Sequence, residues 1–174
     1  MCMVIEVLSN PGWGGLAFGL RFLEESLPSS KRPWVIFEAS ADSLLFPPSL
    51  SGDARQAMSQ GKLLWMHAKE EDAPAFLLTL LECGLFEGVL VRDLENFTKS
   101  HPAAIWGRRW QLTAEKSRTN LIWIHRKKHP VLGFDLRLEW TAPKVFEVKK
   151  GHGYMDERKK REKEHEQKTH SPAA

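Results

Sequence analysis

Cysteine and tyrosine are scarce, 2 and 1 among 174 residues, which excludes a disulfide-stapled scaffold. Cys2 and Cys83 lie far apart in the chain, and a domain of this length buries roughly two thirds of its unfolded surface without needing a bridge or a structural metal. Long apolar runs are also missing. Phe76–Leu81 is broken at once by Glu82, well short of the ~18 residues of a membrane-spanning helix, so no membrane partner is expected. Met1–Leu8 has neither a basic n-region nor a small-residue cleavage site, so it does not read as a signal peptide, and the cytoplasm is the expected compartment. No internal repeat is visible.

A strong charge excess is lacking as well. Lys plus Arg is 25 against 22 for Asp plus Glu, a formal +3. Eight of the basic and five of the acidic residues lie from Lys149 onward, so the tail carries the whole excess and positions 1–148 hold 17 of each sign. The whole chain is 42% hydrophobic and 27% charged, the balance of one soluble globular unit rather than a disordered or fibrous chain. The expected division is a core domain over 1–150 and a charged tail over 151–174.

Short apolar runs alternate with helical patterns. Met3–Leu8, Trp34–Phe37, Leu63–Met66, Phe86–Val91 and Asn120–His125 read as strands. Leu16, Leu20, Leu23 and Leu27 repeat at helical spacing, and two more helices are expected over Ala73–Cys83, with Asp72 as N-cap and Gly84 as C-terminal cap, and from Ser100 to about Lys116. The Pro/Ser/Gly-rich stretch between the second and third strands reads as a connection. Leu132–Trp140 and Lys144–Val148 read as an antiparallel hairpin with Pro143 in its turn. Strands apolar on both faces and alternating with helices predict a doubly wound α/β fold, its mainly parallel sheet covered on both sides.

In such sheets ligands collect beyond the carboxyl ends of the strands, which directs attention to the first strand-to-helix turn, Ser9-Asn-Pro-Gly-Trp-Gly-Gly-Leu16. A working phosphate loop reads G-x-x-x-x-G-K-[ST]. Here Ser9 replaces the first glycine, Gly15 the lysine and Leu16 the hydroxyl residue; Gly14 alone is retained, with Gly12 at an unconstrained position of the same degenerate loop. Without the lysine and hydroxyl the turn lacks the point charge and the magnesium ligand of phosphoryl transfer, so it is read as a connecting turn and no cofactor is expected.

Other chemistry-bearing residues carry little. His125 and His129 straddle a strand end and a basic turn without a cysteine or carboxylate to complete a metal shell, and are read as solvated loop residues; no metal is expected. Cys83 has no assignable activating histidine and is read as a small buried hydrophobe. Trp34, Trp65 and Trp123 fall inside strands and are assigned to the core. Trp106 and Trp110, four apart, share one helix face and are either core or, with Arg108 and Arg109, part of a contact surface. Arg108, Arg109, Lys116 and Arg118, with Arg126, Lys127 and Lys128, form the one concentrated basic set of the neutral core. It reads either as a patch for phosphates or an acidic partner, or as an ordinary solvated face.

The order of these segments resembles a shortened RecA-type core. Glu6-Val-Leu-Ser-Asn-Pro-Gly-Trp-Gly-Gly-Leu-Ala-Phe is similar to that family's first strand and phosphate loop, and Trp34-Val-Ile-Phe-Glu-Ala-Ser to the strand ending in its catalytic acid. Phe86-Glu-Gly-Val-Leu-Val-Arg-Asp resembles the Walker B strand, and Gly133-Phe-Asp-Leu-Arg-Leu-Glu-Trp the hairpin near the end of the core. By this resemblance Ser40 falls at the water-activating glutamate, Arg92 at the Walker B aspartate with Asp93 one place late, and Arg126 at the γ-phosphate sensor. An arginine neither accepts a proton as a base nor coordinates magnesium, so the resemblance implies a RecA-like fold without ATPase activity and without catalytic residues.

Among trimmed relatives of this kind, Trp106-Gly-Arg-Arg-Trp-Gln-Leu-Thr-Ala-Glu-Lys-Ser, Leu136-Arg-Leu-Glu-Trp140 and Val145-Phe-Glu-Val-Lys-Lys150 resemble the ImuA-like proteins of bacterial mutagenesis cassettes. That resemblance implies a non-enzymatic accessory factor of SOS-induced translesion synthesis, with a RecA-type recombinase or a translesion polymerase-like subunit as partner and Trp106, Arg108, Arg109, Arg118 and Arg126–Lys128 as candidate contacts. Direct DNA binding is a secondary expectation. The alternatives are a SulA-like inhibitor of the tubulin-like division protein and a residual DNA-binding recombination protein.

Overall fold

In the computed structural model, which describes residues 2–9, 15–39, 50–92, 94, 103–125, 136–142 and 145–150, four central β-strands bury their apolar side chains on both faces and a fifth, at the edge of the sheet, is half-buried. They are β1 (Val4–Leu8), β2 (Trp34–Glu38), β3 (Leu63–His67), β4 (Gly88–Arg92) and β5 (Asn120–His125). Two more, β6 (Leu136–Ala142) and β7 (Val145–Lys150), complete a seven-stranded sheet of order β3-β2-β4-β5-β1-β6-β7. Every neighbouring pair is parallel except β6–β7. This is the expected doubly wound α/β architecture with a terminal antiparallel hairpin; β6 is described from Leu136, and positions 132–135 of the expected strand lie outside the described residues.

Among the described residues four α-helices cover the sheet: α1 (Gly15–Ser26), α2 (Gly52–Ser59), α3 (Ala73–Glu82) and α4 (Ala103–Ser117). Alternation along each strand splits the core in two. Val35, Phe37, Val89, Val91, Leu121 and Trp123 face α3 and α4, where they meet Leu77, Leu81, Trp110 and Ala114. Ile5, Val7, Ile36, Leu90, Ile122 and Ile124 face the other way, towards Leu23 of α1 and Ala54 and Ala57 of α2. Close approach of α1 is possible because Gly19 has no side chain; a Cβ there would stand 2.6 Å from Ile124 Cδ1.

Helix α2 corrects the reading of residues between β2 and β3 as a plain connection. Its Ser51 cap accepts a hydrogen bond from Ala54 N at 3.2 Å, and only Ala54 and Ala57 are buried, so its short polar sequence carried little apolar periodicity. Asp72 does hold the N-cap position of α3, but its side chain makes no capping bond. Gly84 takes φ +64° after α3, as a C-terminal glycine should. Trp34 and Trp123 are buried as expected; Trp65, on the edge strand β3, is half-buried.

At the amino-terminal end of the sheet, Arg32 ties three elements together. Its Nη1 donates to Gly84 O at 2.7 Å and its Nη2 to Arg118 O at 2.7 Å, while Nε lies 3.5 Å from Glu87 Oε2. Arg118 adopts φ 56° at the end of α4, which turns its carbonyl towards that guanidinium.

Candidate functional site

The carboxyl ends of the strands are the place where a doubly wound fold holds ligands. Ser9 follows β1 there, its N–H donating to His125 O at 3.0 Å and its Oγ accepting from Gly15 N at 3.2 Å. The first turn of α1 is therefore served by a side chain of the chain itself, at the point where a phosphate oxygen would accept in a working loop. The approach is so close that a Cβ on Gly15 would stand 2.4 Å from Ser9 Cβ. Leu16 is half-buried and packs against the core under α1. Gly12 and Gly14 lie outside the described residues.

Three strands along the sheet from β1, Glu38 ends β2 with no exposure at all. Its Oε1 lies 3.3 Å from Arg92 Nη1 across the β2–β4 ladder, and its Oε2 accepts from Trp65 Nε1 at 3.1 Å. His67 Nε2 is 3.7 Å from the same Oε2, and its ring stacks on Trp65 at 5.9 Å between centroids. Arg92 thus sets its positive charge against a carboxylate where the resemblance would call for a metal-binding aspartate. Ser40, Asp93 and Arg126 lie outside the described residues.

On the opposite face of the sheet a second buried carboxylate, Glu6, joins three strands. Its Oε1 is 2.9 Å from His125 Nε2 and its Oε2 accepts from Arg137 Nε of β6. His125 is therefore not a solvated loop residue: it is 4% exposed, and Trp123 stacks on it with centroids 4.3 Å apart. His129 lies outside the described residues. A charged residue inside an otherwise apolar strand, as in Val4-Ile-Glu-Val-Leu8, was the signal for this cluster, but its partners are 119 and 131 residues away. Cys83 also departs from its reading as buried; it is exposed after α3, its Sγ 3.0 Å from Leu80 O. Among the described residues no group of three or more His, Cys, Asp or Glu is placed to hold a metal.

The candidate contact residues on α4 do come together. Trp110 is fully buried and donates to Pro74 O at 3.2 Å, while Trp106 stacks on it at 5.9 Å and stays half exposed. Arg109 sits 4.9 Å above the Trp106 ring, and Arg108 Nη1 donates to Gln111 Oε1 at 2.7 Å. Arg118 belongs instead to the Arg32 junction, through its main chain. Arg126, Lys127 and Lys128 lie outside the described residues.

With strand order and helix layers in place, a solved structure can be set beside the chain. It is similar to SulA from Pseudomonas aeruginosa. The crystal structure of SulA aligns with a TM-score of 0.50 and 19% identity, over 71% of this chain and 98% of SulA. At that identity the likeness to SulA is one of fold. No protein-family model matches the sequence, and no curated protein matches it. Among the described residues no helix is long and apolar enough to cross a membrane.

Proposed function

We propose that the protein is a non-catalytic, cytoplasmic SulA-like inhibitor of cell division that binds the tubulin-like division protein after DNA damage. The observation that carries this reading is the likeness of its backbone to nearly the whole of SulA. The strand carboxyl ends support a binding role over an ATPase role. Gly15 N–H is engaged by Ser9, and Arg92 faces Glu38. The accessory-factor reading, in which the partner is a recombinase or a translesion polymerase-like subunit, retains the sequence likeness of α4, β6 and β7. The division reading has a solved backbone in its favour as well.

Overproduction in a rod-shaped bacterium is the direct test, with filamentous cells as the expected outcome and cells of normal length as the result that rejects the reading. Purified protein should also lower the amount of division-protein polymer sedimented with GTP. Calorimetry with Mg-ATP and single-stranded DNA tests the non-catalytic part: no binding heat and no phosphate release are expected, and turnover would overturn it.

A further inference from the structure

We propose that the outer face of α4 is a docking surface for an amphipathic helical segment of another protein, one that carries aliphatic side chains flanked by carboxylates. Ile105, Leu112 and Lys116, at steps of seven and four, fall on one exposed stripe with Arg108 and Arg109 on its two sides, away from the buried Gly107, Trp110, Gln111 and Ala114. Ile105 is 53% and Leu112 47% exposed, two turns apart on the same line, as the anchors of helix-on-helix recognition are.

The charge of the stripe is held without being neutralised. Arg108 rests on the neutral Gln111 and Arg109 on the Trp106 ring, and among the described residues no carboxylate forms an ion pair with Arg108, Arg109 or Lys116. Glu115, nearby on the helix, is bound by Gln111 Nε2 at 2.7 Å. A second copy of the chain would bring two such cationic stripes together, so the complement is an acidic partner. Exposed aliphatics between the arginines favour a protein over nucleic acid, because a phosphate backbone offers Ile105 and Leu112 nothing to bury against.

The surface is also preorganised. Trp106 stacks on Trp110, and Trp110 meets Trp123 of β5 edge-on at 5.4 Å, so the ring that carries Arg109 is braced from the sheet outward. Less side-chain freedom is then lost on binding.

The test is a fluorescence-anisotropy titration of the full chain with a labelled helical peptide of about 15 residues, bearing a leucine stripe flanked by glutamates. Micromolar binding is expected. The double variant Arg108→Glu, Arg109→Glu should weaken it by about tenfold or more, and a peptide with lysines in place of the glutamates should restore binding to that variant. Leu112→Asp, at an exposed position, should weaken binding without changing the thermal melt. Absence of binding by the unmodified chain, or equal binding by all variants, would overturn the proposal. So would a duplex or single-stranded oligonucleotide that binds the unmodified chain and is lost on the same charge reversal, which would assign the stripe to nucleic acid.

Discussion

Glu38 and Arg92 stand directly opposite each other on β2 and β4, with Oε1 and Nη1 3.3 Å apart and the carboxylate wholly buried. The pair lies at the carboxyl edge of the sheet. Here the two charges answer one another, and Trp65 supplies a further donor to Glu38.

Breaking that pair from one side takes the guanidinium away from a buried carboxylate. Arg92→Met is expected to lower stability by about 2–3 kcal/mol in urea denaturation, at or just below the foot of the ~3–5 kcal/mol range for fully buried pairs because the Arg92 side chain is 18% exposed. The double variant Glu38→Gln, Arg92→Met should recover most of the loss, since an amide still accepts from Trp65 Nε1. A double variant no better than Arg92→Met alone would show that the guanidinium acts through packing rather than charge.

Arg32 makes a different kind of junction, through a planar fork directed at two carbonyls. Arg32→Ala should cost about 1–2 kcal/mol, because Gly84 O and Arg118 O each lose a charged donor at the ends of α3 and α4. Arg32→Lys should recover less than half, since one ammonium cannot reach both oxygens in that geometry. Thermal melts of the two variants decide it.

Gly88 and Gly52 give opposite responses to the same change. A Cβ on Gly88 would lie 2.2 Å from Trp34 Cζ3, and Trp34 is buried with no room to retreat, so Gly88→Ala should destabilise by about 3 kcal/mol. Gly52 opens α2 with nothing within 4 Å, so Gly52→Ala should be neutral or stabilising by about 0.5 kcal/mol. Denaturation midpoints of the two proteins should fall on opposite sides of, or level with and below, the parent.

Ser9→Ala removes the acceptor that serves the first turn of α1. A loss of about 1 kcal/mol is expected in chemical denaturation, the usual worth of a side-chain cap. If the variant is as stable as the parent, water serves Gly15 N equally well.

Much of the layer order could be read from the chain because periodicity is a local property. Runs such as Trp34–Phe37 and Leu121–Ile124 are apolar at every position, short and rich in β-branched and aromatic residues, the pattern of a strand covered on both faces. Gly84 was legible as a helix end because its left-handed backbone is one that few other residues adopt. Helix α2 was not, since a short helix that buries two alanines has almost no apolar stripe to detect.

By itself the sequence determined the strands and the helices α1, α3 and α4, though not α2, that the basic excess belongs to the tail, and that the first turn lacks the lysine and hydroxyl of a phosphate loop. Tertiary structure alone decided the partners. Glu38 meets Arg92 and Glu6 meets His125 and Arg137 because β2 lies beside β4, and β1 lies between β5 and β6, across separations of 54, 119 and 131 residues. The same holds for Cys83 and His125, whose burial was assigned the wrong way round. Exposure depends on what the rest of the fold lays over a residue, and strand adjacency in a doubly wound sheet is set by crossovers that no local pattern records.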